Sequence, residues 1–98
     1  MKNLITIVIP SYNEESYIYN TLWQISRQKF KGIIRVIVAD NNSTDRTLER
    51  ISKASEDFKN LQIELVEGGT TPTARNNGAK LVTTPYILFM DADSILIE

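Results

Sequence analysis

Four short apolar runs alternate with three stretches that repeat apolar residues at helical spacing. Leu4 to Ile9 is nearly continuous and β-branched, the pattern of a strand covered on both faces. Pro10, which lacks an N–H, is expected to end its ladder. Ile18, Leu22 and Ile25 then fall on one helical face, and Tyr19 and Trp23 widen it. Asn13 has the side chain of a helix cap, and Glu14 and Glu15 suit the positive end of that helix's dipole.

The second strand is predicted from Ile33 to Asp40 after a Lys31-Gly32 turn. It is apolar apart from Arg35 and is therefore expected at the centre of a sheet. Ser43 can cap a second helix with Asp45 in its first turn, Leu48, Ile51, Ala54 and Phe58 facing inward, and Glu49 and Lys53 as an outward pair. Leu61, Ile63 and Leu65 alternate with Gln62 and Glu64, which marks a half-exposed edge strand. Past Gly68-Gly69, Thr71 and Pro72 supply cap and first-turn chemistry for a third helix, with Ala74, Gly78, Leu81 and Val82 toward the sheet. Asn76, Asn77 and Gly78 are poor helix formers inside it, which implies a packing or ligand reason. Pro85 stops that helix, and Tyr86 to Met90 makes a fourth strand. The rhythm predicts an α/β fold: an open, mostly parallel four-stranded sheet with helices on both faces, Rossmann-like in architecture. No repeat or linker interrupts it, so residues 1–98 are read as a single domain.

Composition narrows the chemistry. The 98 residues are 42% hydrophobic and 23% charged, near globular averages. A net charge of -1 without a basic cluster argues against a nucleic-acid partner. With no Cys there is no disulfide framework or thiolate site, and with no His there is neither a Ser-His-Asp triad nor an imidazole ligand. A metal would be held by oxygen, which favours Mg2+ or Mn2+ over zinc. The opening apolar run is too short for a membrane span or a signal-peptide core, and the cysteine-free chain is expected in the reducing cytoplasm.

Three strand ends carry unusual residues: Pro10-Ser11-Tyr12-Asn13, Asp40-Asn41-Asn42-Ser43 and Asp91-Ala92-Asp93. In open parallel sheets, ligands bind beyond the carboxyl ends of strands, and right-handed crossovers put these ends on one rim. Asp91 and Asp93 would repel a diphosphate unless a cation lay between them. A base could then rest on Tyr12 and bond to Asp40. Each residue also has a plainer use, Asp40 as a turn residue, Glu14 and Glu15 as helix-start residues, Arg75 as a solvated charge. Ser43 can cap by itself, which leaves Asp40 freer for a ligand.

At this point the chain resembles the inverting, family-two glycosyltransferases of the GT-A, nucleotide-diphosphosugar transferase fold. Ile7-Val8-Ile9-Pro10-Ser11-Tyr12-Asn13-Glu14-Glu15 is similar to the family's opening strand and turn. Asp40-Asn41-Asn42-Ser43-Thr44-Asp45-Arg46-Thr47 looks like its Asp-x-x-Ser-x-Asp-x-Thr exit. Ala74-Arg75-Asn76-Asn77-Gly78-Ala79 is similar to its third helix, and Tyr86 to Asp93 to its strand ending in Asp-x-Asp. The resemblance implies that Pro10, Tyr12 and Asp40 enclose the nucleobase, that Arg75 assists at base or phosphates, that Asp91 approaches the ribose and shares in the metal site, and that Asp93 ligates Mg2+ or Mn2+. It implies a UDP-sugar donor and inverting transfer to an acceptor hydroxyl. The family's general base and acceptor site have no counterpart here, so the chain is expected to be a donor-binding segment that is inactive alone.

Two other classes stay open from the residues: a receiver-like, magnesium-holding signalling module, and a noncatalytic nucleotide-binding domain. A receiver would want acids directly after the first strand, where Pro10-Ser11-Tyr12-Asn13 stands. A nucleotidyltransferase would bring a Gly-rich basic loop there, and a dinucleotide-binding domain a Gly-x-Gly-x-x-Gly, and neither is present. The fourth strand, if it lies at an edge, invites pairing with a second copy as a homodimer.

Overall fold

The computed structural model describes residues 5–28 and 32–93, with the side chain of Thr71 excepted. Leu4, Lys31 and the capping side chain expected of Thr71 lie outside that description. The chain runs β1 (Ile5–Ser11), α1 (Ile18–Ser26), β2 (Ile34–Asp40), α2 (Thr47–Asp57), β3 (Leu61–Glu67), α3 (Thr71–Ala79) and β4 (Tyr86–Phe89). All neighbouring strands are parallel, in the order β3-β2-β1-β4.

Period-two alternation in the central strands sorts the side chains between two layers. Ile7 and Ile9 of β1 and Val36 and Val38 of β2 meet Ile18, Leu22 and Ile25 of α1 and Ile51 and Ala54 of α2 in one buried cluster. Val8 and Ile37 point the other way, toward α3. Helices on opposite faces follow from handedness: the chain steps one way along the sheet from β1 to β3, then turns back past β1 to reach β4, and a right-handed crossover puts α3 on the reverse face. The open α/β architecture expected from the sequence is the one observed.

Several local expectations are corrected. Pro10 does not end β1, because the strand continues to Ser11 opposite Asp40. Val8 accepts from Met90 N–H on the β4 side while Ser11 accepts from Asn41 on the β2 side, so the missing Pro10 donor faces the β4 side, where pairing stops at Val8–Phe89. Trp23 and Leu48 are exposed rather than inward. Trp23 instead lies under the Arg27 guanidinium, 5.3 Å from ring centroid to Cζ. Tyr19 does turn inward, packing on Phe58 with ring centroids 5.1 Å apart and donating its hydroxyl to Asp57. Lys53 pairs with Asp57, not Glu49. Leu81, past the end of α3, is exposed as well.

The poor helix formers of α3 have packing reasons. Asn77 Nδ2 donates to the Glu67 and Gly68 carbonyls and ties the helix to the turn that precedes it. A Cβ on Gly78 would lie 2.5 Å from Val8 Cγ1, so glycine is what lets α3 settle on β1. Arg35 accounts for the one charge in β2: it makes two bonds to the Glu64 carboxylate and a third, 2.7 Å long, to the Leu81 carbonyl.

Candidate functional site

Strand order reverses at β1: the chain leaves β1 toward α1 on one face of the sheet and reaches β4 from α3 on the other, beside the carboxyl ends of β1 and β4. A crevice opens there, with a volume of about 340 Å³. Pro10, Ser11, Tyr12 and Glu14 form one wall, Asp91, Ala92 and Asp93 the facing one, and Gly69, Thr70 and Ala74 at the start of α3 close an end. Thr70, one residue earlier than the Thr71 expected, holds the cap position of α3 with extended backbone angles and no side-chain capping bond, and Pro72 falls in the first turn.

The wall from β1 is shaped by a latch between two loops. Asn13 does not cap α1, which begins at Ile18 with Tyr17 before it and no acidic residue in its first turn. Asn13 sits at φ 49°, its N–H donates to Ser43 Oγ, and its Oδ1 accepts from Thr44 N–H. Next in line, Glu14 N–H donates to Thr47 Oγ1 and Glu15 N–H to Asp45 Oδ2. The strand exit Asp-x-x-Ser-x-Asp-x-Thr is thus spent on the backbone of the neighbouring Asn-Glu-Glu segment. Burial would raise the Asp45 carboxyl, but bonds from the Thr47 hydroxyl, Thr47 N–H and Glu15 N–H outweigh it and hold it below the usual carboxylate value.

Asp40 belongs to the same latch. It is 6% exposed, and its two oxygens accept from Ser43 N–H and Ser43 Oγ. The expectation that Ser43 caps α2 and leaves Asp40 free is corrected on both counts: Arg46 precedes the helix, the Asp45 side chain bonds Thr47 N–H there, and Ser43 occupies Asp40. Asp40 opens onto a separate depression beside Leu48, Leu65 and Glu67 rather than onto the crevice. Its neighbour Asn41 does reach the crevice.

On the opposite wall Met90 N–H donates to the Val8 carbonyl and Ala92 is buried, so the acids on either side of Ala92 turn outward. Arg75 lies at the rim with Nη2 4.0 Å from Asp91 Oδ1, its guanidinium 5.9 Å from the Phe89 ring. The structure therefore gathers Pro10, Tyr12, Asp91 and Asp93 around one space with Arg75 at its edge, and leaves Asp40 one strand away.

Glu14, read from the sequence as a helix-start residue, is the main surprise. Partial burial, followed by the charges of Asp93, Asp45 and Asp91, pushes its carboxyl above the usual value. An acid whose folded value is raised adds stability below its ordinary range and loses it as pH rises through the folded value. Glu14→Gln is therefore expected to raise the melting temperature of the ligand-free chain at pH 7 by about 2 °C, a gain that vanishes below pH ~4. Thermal scans across pH check it, and equal melting at pH 7 would refute the cost of burying this charge among its acidic neighbours.

Among the described residues, no three acidic side chains converge tightly enough to hold a metal by themselves. No described helix is long and apolar enough to cross a membrane.

Known proteins bear on this geometry. The chain is 38% identical over 96 residues to the teichoic acid poly(glycerol phosphate) polymerase of Staphylococcus epidermidis, a match that covers 96% of this chain and 13% of that protein. It is 33% identical over 94 residues to the poly(ribitol-phosphate) beta-N-acetylglucosaminyltransferase TarS of Staphylococcus aureus, covering 93% of this chain and 16% of that one. The chain thus spans less than a fifth of either relative. The crystal structure of S. aureus TarS 1-349 in complex with UDP superposes with a TM-score of 0.78 at 31% identity, over 93% of this chain and 28% of that one. The family model described as glycosyl transferase family 2 matches residues 6–98. By that match over nearly its whole length, the chain belongs to glycosyl transferase family 2.

Proposed function

We propose that this chain binds a nucleotide-diphosphosugar, with UDP as the nucleotide, in the β1–β4 crevice, for inverting transfer of the sugar to an acceptor hydroxyl. The observation that carries the reading is the position of Asp91 and Asp93 across the strand switch point from Pro10 and Tyr12. The family match and the UDP complex of a structural neighbour support it.

In this reading Tyr12, exposed at the end of β1, offers its ring to the base, and Pro10 shapes the wall beneath. Asp40 accepts one bond from Ser43 at each carboxylate oxygen, and the second lone pair of either oxygen is what a base nitrogen would use. Arg75 stands where a cation can answer ribose or phosphate oxygens, once released from Asp91. Asp93 and Asp91 would hold Mg2+ or Mn2+. The scarcity of converging acids fits these ions, which take one or two carboxylates and complete their shell with water and phosphate oxygens. Glu14 fits too, since burial raises its carboxyl most but the charges of Asp93 and Asp91 add to it, and a cation would relieve that part.

The bound metal would supply charge neutralisation for the departing diphosphate. The residues named here orient donor and leaving group: an acceptor oxygen forms its bond to the anomeric carbon as the bond to the diphosphate oxygen breaks on the opposite side. The base that takes the acceptor proton is not among them, so the chain is proposed as a donor-binding domain without turnover of its own.

Calorimetry with a panel of nucleoside diphosphates tests this. UDP is expected to bind in Mg2+ or Mn2+ and to lose at least about tenfold in affinity in excess chelator. Equal affinity in chelator would remove the metal from the reading, and failure of every nucleotide to bind would remove the site.

A further inference from the structure

The inward stripe of α1 contains one residue out of character. Ile18, Leu22 and Ile25 are aliphatic, but Thr21 stands among them at 1% exposure. A hydroxyl buried in such a stripe is costly unless paired. Thr21 Oγ1 donates to the Ala92 carbonyl at 2.5 Å, a buried bond between residues 71 apart in sequence. Ala92 is the middle residue of Asp91-Ala92-Asp93, and its own methyl packs in the main core cluster.

The bond falls where the sheet stops holding the chain. Pairing of β4 with β1 ends at Phe89, and Met90 N–H adds one more bond to Val8. Beyond that, the segment bearing both acids has left the ladder. Its direction is then decided by what holds its middle residue: with the Ala92 side chain in the core and its carbonyl clasped from below by α1, the side chains on either side turn out toward the crevice.

We propose that Thr21 is a positioning residue for the acidic pair: by holding the Ala92 carbonyl it sets the spacing and direction with which Asp91 and Asp93 present their carboxylates to a divalent cation and the diphosphate it accompanies. The proposal rests on the reading of the crevice as a nucleotide site. It adds a residue that makes no contact with the ligand, on the helix that also packs against α2. Thr21 differs from a generic core residue in that its hydroxyl, rather than its volume, does this work.

The test compares Thr21→Val, which keeps shape and removes the donor, with Thr21→Ser, which keeps the donor. Amide hydrogen exchange at Ala92 and Asp93 is followed in the ligand-free 98-residue chain, and Mn2+ is titrated at fixed UDP by calorimetry. Thr21→Val is expected to speed exchange at the two amides and to raise the half-saturating Mn2+ concentration about tenfold, the size typical of losing a group that orients a metal ligand. Thr21→Ser is expected to stay within about twofold of wild type on the same scale. If Thr21→Val does not fold, Thr21→Ala against Thr21→Ser carries the same comparison. Wild-type exchange and wild-type Mn2+ dependence in Thr21→Val, or equal losses in Thr21→Ser, overturn the positioning role and leave the nucleotide reading intact. A wild-type chain that takes up no UDP in Mn2+ overturns both, and is recognised before any variant is made.

Discussion

Asp93→Ala is expected to weaken Mn2+-dependent UDP binding by about 100-fold or more, roughly 3 kcal/mol. The size follows from what the change leaves behind. A diphosphate brought against Asp91 and Glu14 without a well-held cation meets uncompensated negative charge, so the variant loses the metal contact and keeps the repulsion. Asp91→Ala is expected to lose less, because Asp91 already shares its charge with Arg75 at the rim. Asp93→Asn separates charge from shape and should behave like Asp93→Ala. Titration calorimetry in Mn2+ decides: an Asp93→Ala chain within threefold of wild type would leave the acidic pair without its proposed office.

The second large effect concerns stability. Gly68 sits where the turn after β3 passes over the carboxyl end of β2, and its N–H donates to the Asp40 carbonyl. A Cβ there would lie 2.7 Å from the Ala39 carbonyl oxygen and 2.9 Å from the Asp40 carbonyl carbon, both main-chain atoms of a central strand. Neither can yield as a side chain does. Gly68→Ala is expected to cost about 3 kcal/mol, at the upper end for overpacking, and to lower the melting temperature by more than about 10 °C. Gly69→Ala is the instructive neighbour. Its added carbon would meet only the Thr73 side chain at 3.2 Å, so its cost comes from the positive φ of 92° and is expected to be smaller, about 1–2 kcal/mol. Denaturant unfolding of the two variants checks the order, and equal losses would show that crowding against β2 is not what requires glycine.

The sheet was legible in the sequence because burial is written along a strand residue by residue. Ile7 to Ile9 and Val36 to Ala39 are continuous and apolar, and they are the strands covered on both faces. Leu61, Ile63 and Leu65 alternate with polar residues, and β3 is an edge. The starts of α1 and α2 were not legible, because Asn13, Ser43 and Asp45 resemble local caps while most of their bonds run between loops about thirty residues apart. A rule that looks three residues ahead cannot see a partner in another loop. The same blindness made Asp40 look free. At the site, the acids of the Asp-x-Asp segment could be named because their type and their position after an apolar strand both point to chemistry, although that strand proves exposed. Glu14 could not, since two glutamates before a helix have a sufficient electrostatic reason of their own. Thr21 left a faint trace, a hydroxyl in an aliphatic stripe, whose meaning depends on a carbonyl at the far end of the chain.

The seam between β1 and β4 gives the crevice a second consequence. Tyr86 to Phe89 are exposed along their whole length, and this strand closes the sheet by pairing with Ile5 to Val8 alone. It is the part of the sheet that can detach at least expense. A molecule spanning Tyr12 and Asp93 rivets that last strand to its neighbour, lending the fold about 2.7 kcal/mol at a hundredfold excess over its dissociation constant. On the proposed donor-site reading, fraying of the strand and emptying of the crevice are linked equilibria, and a bound nucleotide would be a removable fastener for the sheet that holds it.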